Sequence, residues 1–208
     1  MAKRGTPQIS SRKQPQQARS TDLVAAILTA AVQVLEQEGA TRFTTARVAE
    51  KAGVSIGSLY QYFPNKAAIL FQLQSDEWRR TVEMMQRMLE DVRRPPLERL
   101  RRLVLAFIQS ECEEADIRGA LNDAAPLYRD ALEARRGKAA VQQAFRTFMK
   151  EALPHAAEER RLSAGDLILT TLNSAGKQFS ESSRTAAEIE TYASAMSDMF
   201  CAYLREIA

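Results

Sequence analysis

No single regular element can run through Thr44–Lys66, because Gly53 and Pro64 interrupt it at two fixed points. Glycine adopts the left-handed backbone that ends a helix more cheaply than any other residue, and proline disfavours the helical conformation of the residue before it. The segment therefore reads as two short helices joined by a turn, with a third helix to follow. Thr44 caps the first, through Ala52, by accepting one of its unpaired first-turn amides. Val48, Ala49 and Ala52 give that helix a small apolar face, which lets a neighbouring helix approach closely. Val54 is the buried residue of the turn, and Ser55 caps the second helix, Ile56 to about Phe63. Asn65 caps the third and places Lys66 in its first turn.

Leu59 and Phe63, spaced i and i+4, face inward with Val54. Ile56, Gly57, Ser58 and Gln61 are left outward, with Tyr60 and Tyr62 at the flank. Gly57 costs so short a helix about 1 kcal/mol relative to alanine, a cost that close approach of the backbone to a ligand surface would explain. Lys66 opposes the dipole of the helix it begins, which makes sense if it points at a phosphate. Together these features lay out a helix-turn-helix, whose second helix enters a DNA major groove.

The run Gly53-Val54-Ser55-x-Gly57-x-Leu59-Tyr60-x-Tyr62-Phe63-x-x-Lys66, preceded by Thr44-Thr45 and by a helix ending at Gly39, resembles the DNA-binding domain of the TetR (tetracycline-repressor) family of bacterial one-component regulators. The resemblance spans roughly Ser20 to Leu73; the rest matches only in length and helical character. It implies DNA contacts from Thr45, Ile56, Gly57, Ser58, Tyr60, Gln61, Tyr62 and Lys66. Many members carry histidine where this chain has Tyr62, and tyrosine keeps a hydrogen-bonding tip for phosphate.

Charge is divided unevenly along the 208 residues, whose formal net is +3. Residues 1–70 hold nine Lys/Arg against four Asp/Glu, whereas the remainder holds twenty against twenty-two. The electropositive part coincides with the helix-turn-helix, as a phosphate-binding surface requires. Cys112 and Cys201 lie far apart, and with the single His155 they offer no zinc or disulfide framework. No metal or cofactor is expected, and the cysteines read as reduced thiols of a cytoplasmic protein. No apolar run approaches the roughly 20 residues of a membrane span, and the basic, polar stretch Met1–Ala18 is no secretory signal.

The expected fold is all-α: a three-helix helix-turn-helix domain followed by a C-terminal helical bundle, about nine helices in total. Residues 1–19 form a basic arm that reads either as a solvated tail or as a flexible segment gaining phosphate or minor-groove contacts. Residues 20–73 form the DNA-binding domain, opened by a helix over Thr21–Glu38 with Leu23, Ile27, Ala30, Val34 and Leu35 as its inner stripe. Residues 74–208 form a ligand-binding and dimerisation domain. A helix over Lys66–Arg93 is expected to link the reading head to it, followed by helices over Pro96–Glu114, Asp116–Asp123, Pro126–Leu153, Ser163–Ser182 and Thr185–Ile207, with a loop from Pro154 to Leu162. The last helix is apolar over more than one stripe, and Ala175-Gly176 permits close helix approach. Either this helix packs between two neighbours of its own chain or its second face is a subunit interface. The resemblance, in which the last two helices usually build a four-helix dimer interface, favours a homodimer.

No nucleophile elbow, phosphate loop or paired metal ligands mark an enzyme, and no catalytic residues are assigned. The leading reading is a ligand-controlled transcriptional regulator, a repressor that leaves a palindromic operator when a small-molecule effector binds. The alternative is an architectural DNA-binding protein without effector. About 140 residues of C-terminal helix exceed what dimerisation needs, which favours a regulatory cavity. Candidate pocket residues are Trp78, Met85, Phe107, Tyr128, Phe145 and Phe148, each of which reads as ordinary core before it reads as pocket wall.

Overall fold

The computed structural model of the protein describes residues 18–124 and 132–208. Among the described residues it is all-α: α1 (Ala18–Arg42), α2 (Thr45–Lys51), α3 (Ile56–Tyr62), α4 (Lys66–Leu89), α5 (Pro96–Glu113), α6 (Ala115–Ala124), α7 (Leu132–Ala152), α8 (Glu158–Ser180) and α9 (Ala186–Glu206). The basic arm lies outside the described residues, as does the stretch 125–131 with Tyr128. The chain forms two compact units, and the division is not a single cut after residue 73. The first unit runs to Trp78 and takes in α6; the second holds the remainder of α4, α5 and α7–α9.

In the first unit α1 supplies Ile27, Ala30, Ala31, Val34 and Leu35 to a core completed by Phe43, Val48, Leu59, Phe63 and Ile69. α1 kinks at Gly39, whose φ of 72° only glycine adopts without strain. Over Ser20–Arg42 the helix is long and apolar enough to cross a membrane, with a mean hydropathy of 1.2 in its most apolar window. The expectation that no stretch approaches that length is thus corrected. Of its apolar residues Ile27, Ala30, Ala31, Val34 and Leu35 are buried in this core, Leu23, Val24, Leu28 and Val32 pack partly against it, and Ala25 and Ala26 are exposed. α6 adds Leu121, and its Arg118 pairs with the buried Glu77 at 2.9 Å.

The second unit is organised around α5, which packs against α8 and α9. Leu100, Leu103, Val104, Phe107 and Ile108 meet Phe145 and Phe148 of α7, Ile168 and Leu172 of α8, and Phe200 and Leu204 of α9. α9 starts with a capping box: Thr185 and Glu188 satisfy each other's backbone amides.

Three expectations about helices change here. α4 ends at Leu89 rather than Arg93, and the buried Arg99 guanidinium donates to the Leu89 carbonyl, a group that the helix end leaves unpaired. α8 begins at Glu158, not Ser163, so most of the expected loop is helix. Charge does not break a helix, and Glu158 and Glu159 in the first turn favour its dipole. Gly176 is used within the chain: a Cβ there would sit 3.0 Å from Phe107 and 3.2 Å from Ile108, so its bareness lets α8 lie close on α5. Met196 and Phe200 likewise face inward, so part of the second apolar stripe of α9 is ordinary core.

Candidate nucleic-acid interface

Local chemistry builds the reading head in the order the chain is read. The Thr44 hydroxyl accepts from the Arg47 amide at 3.3 Å and starts α2. The turn closes through Gly53 N–H to the Glu50 carbonyl (3.1 Å) and Val54 N–H to the Ala49 carbonyl (3.0 Å). Gly53 holds φ at 67°, with nothing within 4 Å of a Cβ placed on it, so its requirement is purely one of backbone conformation. The Ser55 hydroxyl accepts from the Ser58 amide at 3.0 Å and starts α3. Asn65 accepts from Ala68 N–H at 3.0 Å and starts α4, which leaves Lys66 exposed in its first turn.

On α3 the core takes Leu59, Tyr62 and, at the cap, Phe63. Ile56, Gly57, Tyr60 and Gln61 are exposed and Ser58 is half-buried. Tyr62 is only 6% exposed, which corrects its expected outward position. At i+3 from Leu59 it falls on the same side of the helix, and that spacing, overlooked beside the i, i+4 pair, is the signal that finds it. Thr45 is half-buried and its hydroxyl lies 3.0 Å from the Tyr60 hydroxyl, a bond that ties α2 to the outer edge of α3. Ser58 is similarly engaged: its hydroxyl sits 2.8 Å from that of Ser55. Gln61 is left as the exposed amide in the middle of the outer face.

Gly57 stands apart from Gly53. Its φ is not positive, and a Cβ there would meet only the Ser55 hydroxyl, at an ordinary 3.8 Å. Among the described residues nothing calls for glycine at this exposed helical position. Around the head, Arg47 is paired with Glu38, and Lys51 reaches Gln37 at 3.4 Å.

Four of the residues proposed for an effector pocket, Met85, Phe107, Phe145 and Phe148, come together in the core of the second unit, nearly devoid of solvent exposure. Phe145 and Phe148 meet edge to face with ring centres 6.1 Å apart. Trp78 packs on the core of the first unit instead. Sequence reasoning missed the arginines around the α4–α5 connection, above all Arg99, which is buried with its guanidinium over the Phe148 ring at 5.6 Å.

Residues 27–73 match the family model described as bacterial regulatory proteins, tetR family, and residues 95–207 match that of the tetracyclin repressor-like C-terminal domain. The chain is 41% identical over 85 residues to the nucleoid occlusion factor SlmA of Vibrio campbellii, a match covering 39% of this chain and 43% of that protein. It therefore spans less than half the length of the curated relatives it matches. Its fold is similar to that of a TetR-family transcriptional regulator from Mesorhizobium loti, with a TM-score of 0.69 at 17% identity over 90% of this chain and 98% of the other. The fatty acid degradation regulator FadR from Bacillus halodurans superposes with a TM-score of 0.66 at 18% identity, over 90% and 96% of the two chains.

Proposed function

The chain belongs to the tetR family of bacterial regulatory proteins, and from that membership we propose that this DNA-binding regulator is a cytoplasmic repressor, a homodimer that holds a pseudo-palindromic operator and releases it when a small molecule binds. The observation that carries the DNA-reading part is the outer face of α3. There, a glycine with no internal reason to be glycine stands beside exposed Gln61 and Tyr60. Gln61 is the base reader, since its amide pairs donor and acceptor with adenine. Ile56 offers an apolar contact to a thymine methyl. Thr45, Tyr60 and Lys66 hold phosphates, which position without specifying; Ser58, with its hydroxyl turned to Ser55, serves as a secondary contact. Tyr62 is withdrawn from the outward set.

In a dimer the two α3 helices would enter successive major grooves, with half-site centres about 34–36 Å apart. Support for dimerisation comes from the faces of α8 and α9 that the core leaves uncovered. They present Leu167 (51% exposed) and Met199 (52% exposed) among small residues such as Ser174, Ala195 and Ala202. The test begins with selection of bound duplexes from a random pool. Affinity on the selected site is then measured against salt. Lys66→Ala should weaken every sequence alike and lower the salt slope by about 1 for each copy engaged. Unchanged affinity in a Tyr60→Ala, Lys66→Ala double variant would sink the assignment.

A second reading, DNA binding without effector control, is favoured by the likeness to a protein named as a nucleoid occlusion factor. The two readings part on ligand titration. By linkage, a ligand that weakens DNA binding must bind the DNA-free form more tightly by the same factor.

A further inference from the structure

The connection between α4 and α5 gathers an unusual density of guanidinium groups around one open cleft of about 280 Å³. Met84 and Met88 of α4 form its apolar wall, and the side chains of Arg87, Arg93, Arg94, Arg99 and Arg102 line the rest with Asp91 among them. Asp91 is the resident counter-ion: its carboxylate lies 2.6 Å from Arg93, 3.4 Å from Arg94 and 3.8 Å from Arg102. The hydrogen bond from Arg93 holds that carboxyl below its ordinary range, so it is fully ionised at neutral pH. Arg94 also pairs with Glu98, and Arg99 with Glu151. The lining thus holds five guanidiniums and one carboxylate, with Glu98 and Glu151 pairing two of the arginines from outside it, and the cleft keeps a positive excess.

Arg99 anchors this arrangement from below. Its side chain is 97% buried (3% exposed), its two terminal nitrogens donate to the Leu89 carbonyl and to Glu151, and its buried Nε donates no hydrogen bond. Arg99 thereby fixes the floor of the cleft beneath the exposed guanidiniums, and its own Nε is closed off from it. The converging half-exposed guanidiniums of Arg94 and Arg102 have the planar fork that suits an oxyanion.

We propose that this cleft binds a small oxyanion bearing a short apolar group, best a phosphate monoester, with Arg94 and Arg102 taking the anion and Met84 and Met88 its apolar part. A monoester carries between about −1.5 and −2 at pH 7 and so offsets the surplus charge, which a monocarboxylate does only in part. The volume lies just under the 300–1,000 Å³ of sites for drug-sized ligands, so the occupant is a compact molecule. Lining residues and paired acids all belong to the second unit, and the site stands whether or not the chain is an effector-controlled repressor.

The experiment is calorimetric titration of the full chain, at low salt, with hexyl phosphate, hexanoate, inorganic phosphate, hexanol and hexylamine. Hexyl phosphate should bind saturably at one site per chain, hexanoate and inorganic phosphate more weakly, and the alcohol and amine not at all. An Arg94→Gln, Arg102→Gln variant should lose about 100-fold in affinity, roughly tenfold for each charge-assisted contact removed. Both side chains are well exposed, so the variant should melt like the unmodified protein. Arg160→Gln, on the exposed first turn of α8 and outside the cleft, controls for net charge and should change nothing. Absence of saturable hexyl phosphate binding overturns the proposal, as does equal binding by the double variant. If an acidic peptide binds in an Arg102-dependent way while no small anion does, the cleft is a protein-docking face and the proposal also fails.

Discussion

Gly57→Ala separates the folding and the DNA-reading roles of one residue, because the structure gives the two effects opposite signs. The position is helical, exposed, without positive φ, and an added methyl would meet nothing closer than the Ser55 hydroxyl at 3.8 Å. Alanine should therefore stabilise the reading head by about 0.5–1 kcal/mol, the backbone entropy that a glycine gives up on entering a helix. If the backbone at Gly57 lies against DNA, the same methyl intrudes on that contact. Displacing a well-packed polar interface by a fraction of an ångström costs about as much as one or two hydrogen bonds, roughly 1–3 kcal/mol, or about 5- to 150-fold in affinity. Urea denaturation of the free protein and fluorescence anisotropy on the selected operator measure the two quantities separately. The expected signature is a raised midpoint with weakened binding. A variant that is more stable and binds DNA as tightly as the unmodified chain would show that Gly57 does not face the duplex, and the assignment of the α3 outer face would fail with it.

If the proposed dimer forms through α8 and α9, Met199→Glu should convert it to monomer at low micromolar concentration. Covering the exposed half of Met199 is worth about 1 kcal/mol per copy, and desolvating two carboxylates costs several more each. Met196→Glu, at a side chain only 7% exposed within the chain, should unfold the second unit instead; sedimentation and circular dichroism distinguish the two, and a Met199→Glu dimer refutes the interface. Gly53→Ala, at φ 67° with free space around it, should lose about 1–2 kcal/mol of stability purely through backbone strain, and an unchanged melting temperature contradicts that account. At the start of α9, bonds from the Thr185 amide and then its hydroxyl hold the Glu188 carboxyl below its ordinary value near 4.5. A folded pKa below the unfolded one stabilises above about pH 4.5 and is lost as pH falls through the folded value. The stability gap to Glu188→Ala should therefore close on acidification, and a gap independent of pH excludes the charge-assisted cap.

What could be read from the chain in advance was what local chemistry decides. Thr44, Ser55 and Asn65 each hydrogen-bond an amide three residues on, so each helix start in the reading head is written within four residues of sequence. Gly53 is legible for the same reason, since a single backbone angle fixes it. Tyr62 was legible and misread: Leu59, Tyr62 and Phe63 form an i, i+3, i+4 set, and a polar tip on tyrosine says nothing about where its ring packs. Legibility ends where a residue's role depends on a partner far along the chain. The small face at Gly176 announces close approach, but whether the approaching helix is α5 of the same chain or a second copy is not encoded at Gly176 itself. Arg99 is the sharper case. On a helix stripe it reads as a solvated cation, and only the fold brings it to Glu151, fifty-two positions away, and to the open end of α4. The aromatic residues suggested for a pocket show the same limit from the other side: Phe107, Phe145 and Phe148 pack together, and sequence cannot distinguish side chains that fill a space from side chains that surround one. The unusual chemistry of the second unit therefore sits in its charged residues. A guanidinium that must be buried needs a reason, and the folded α4–α5 connection supplies one only in part, through a carbonyl, a carboxylate and a Nε still without an acceptor.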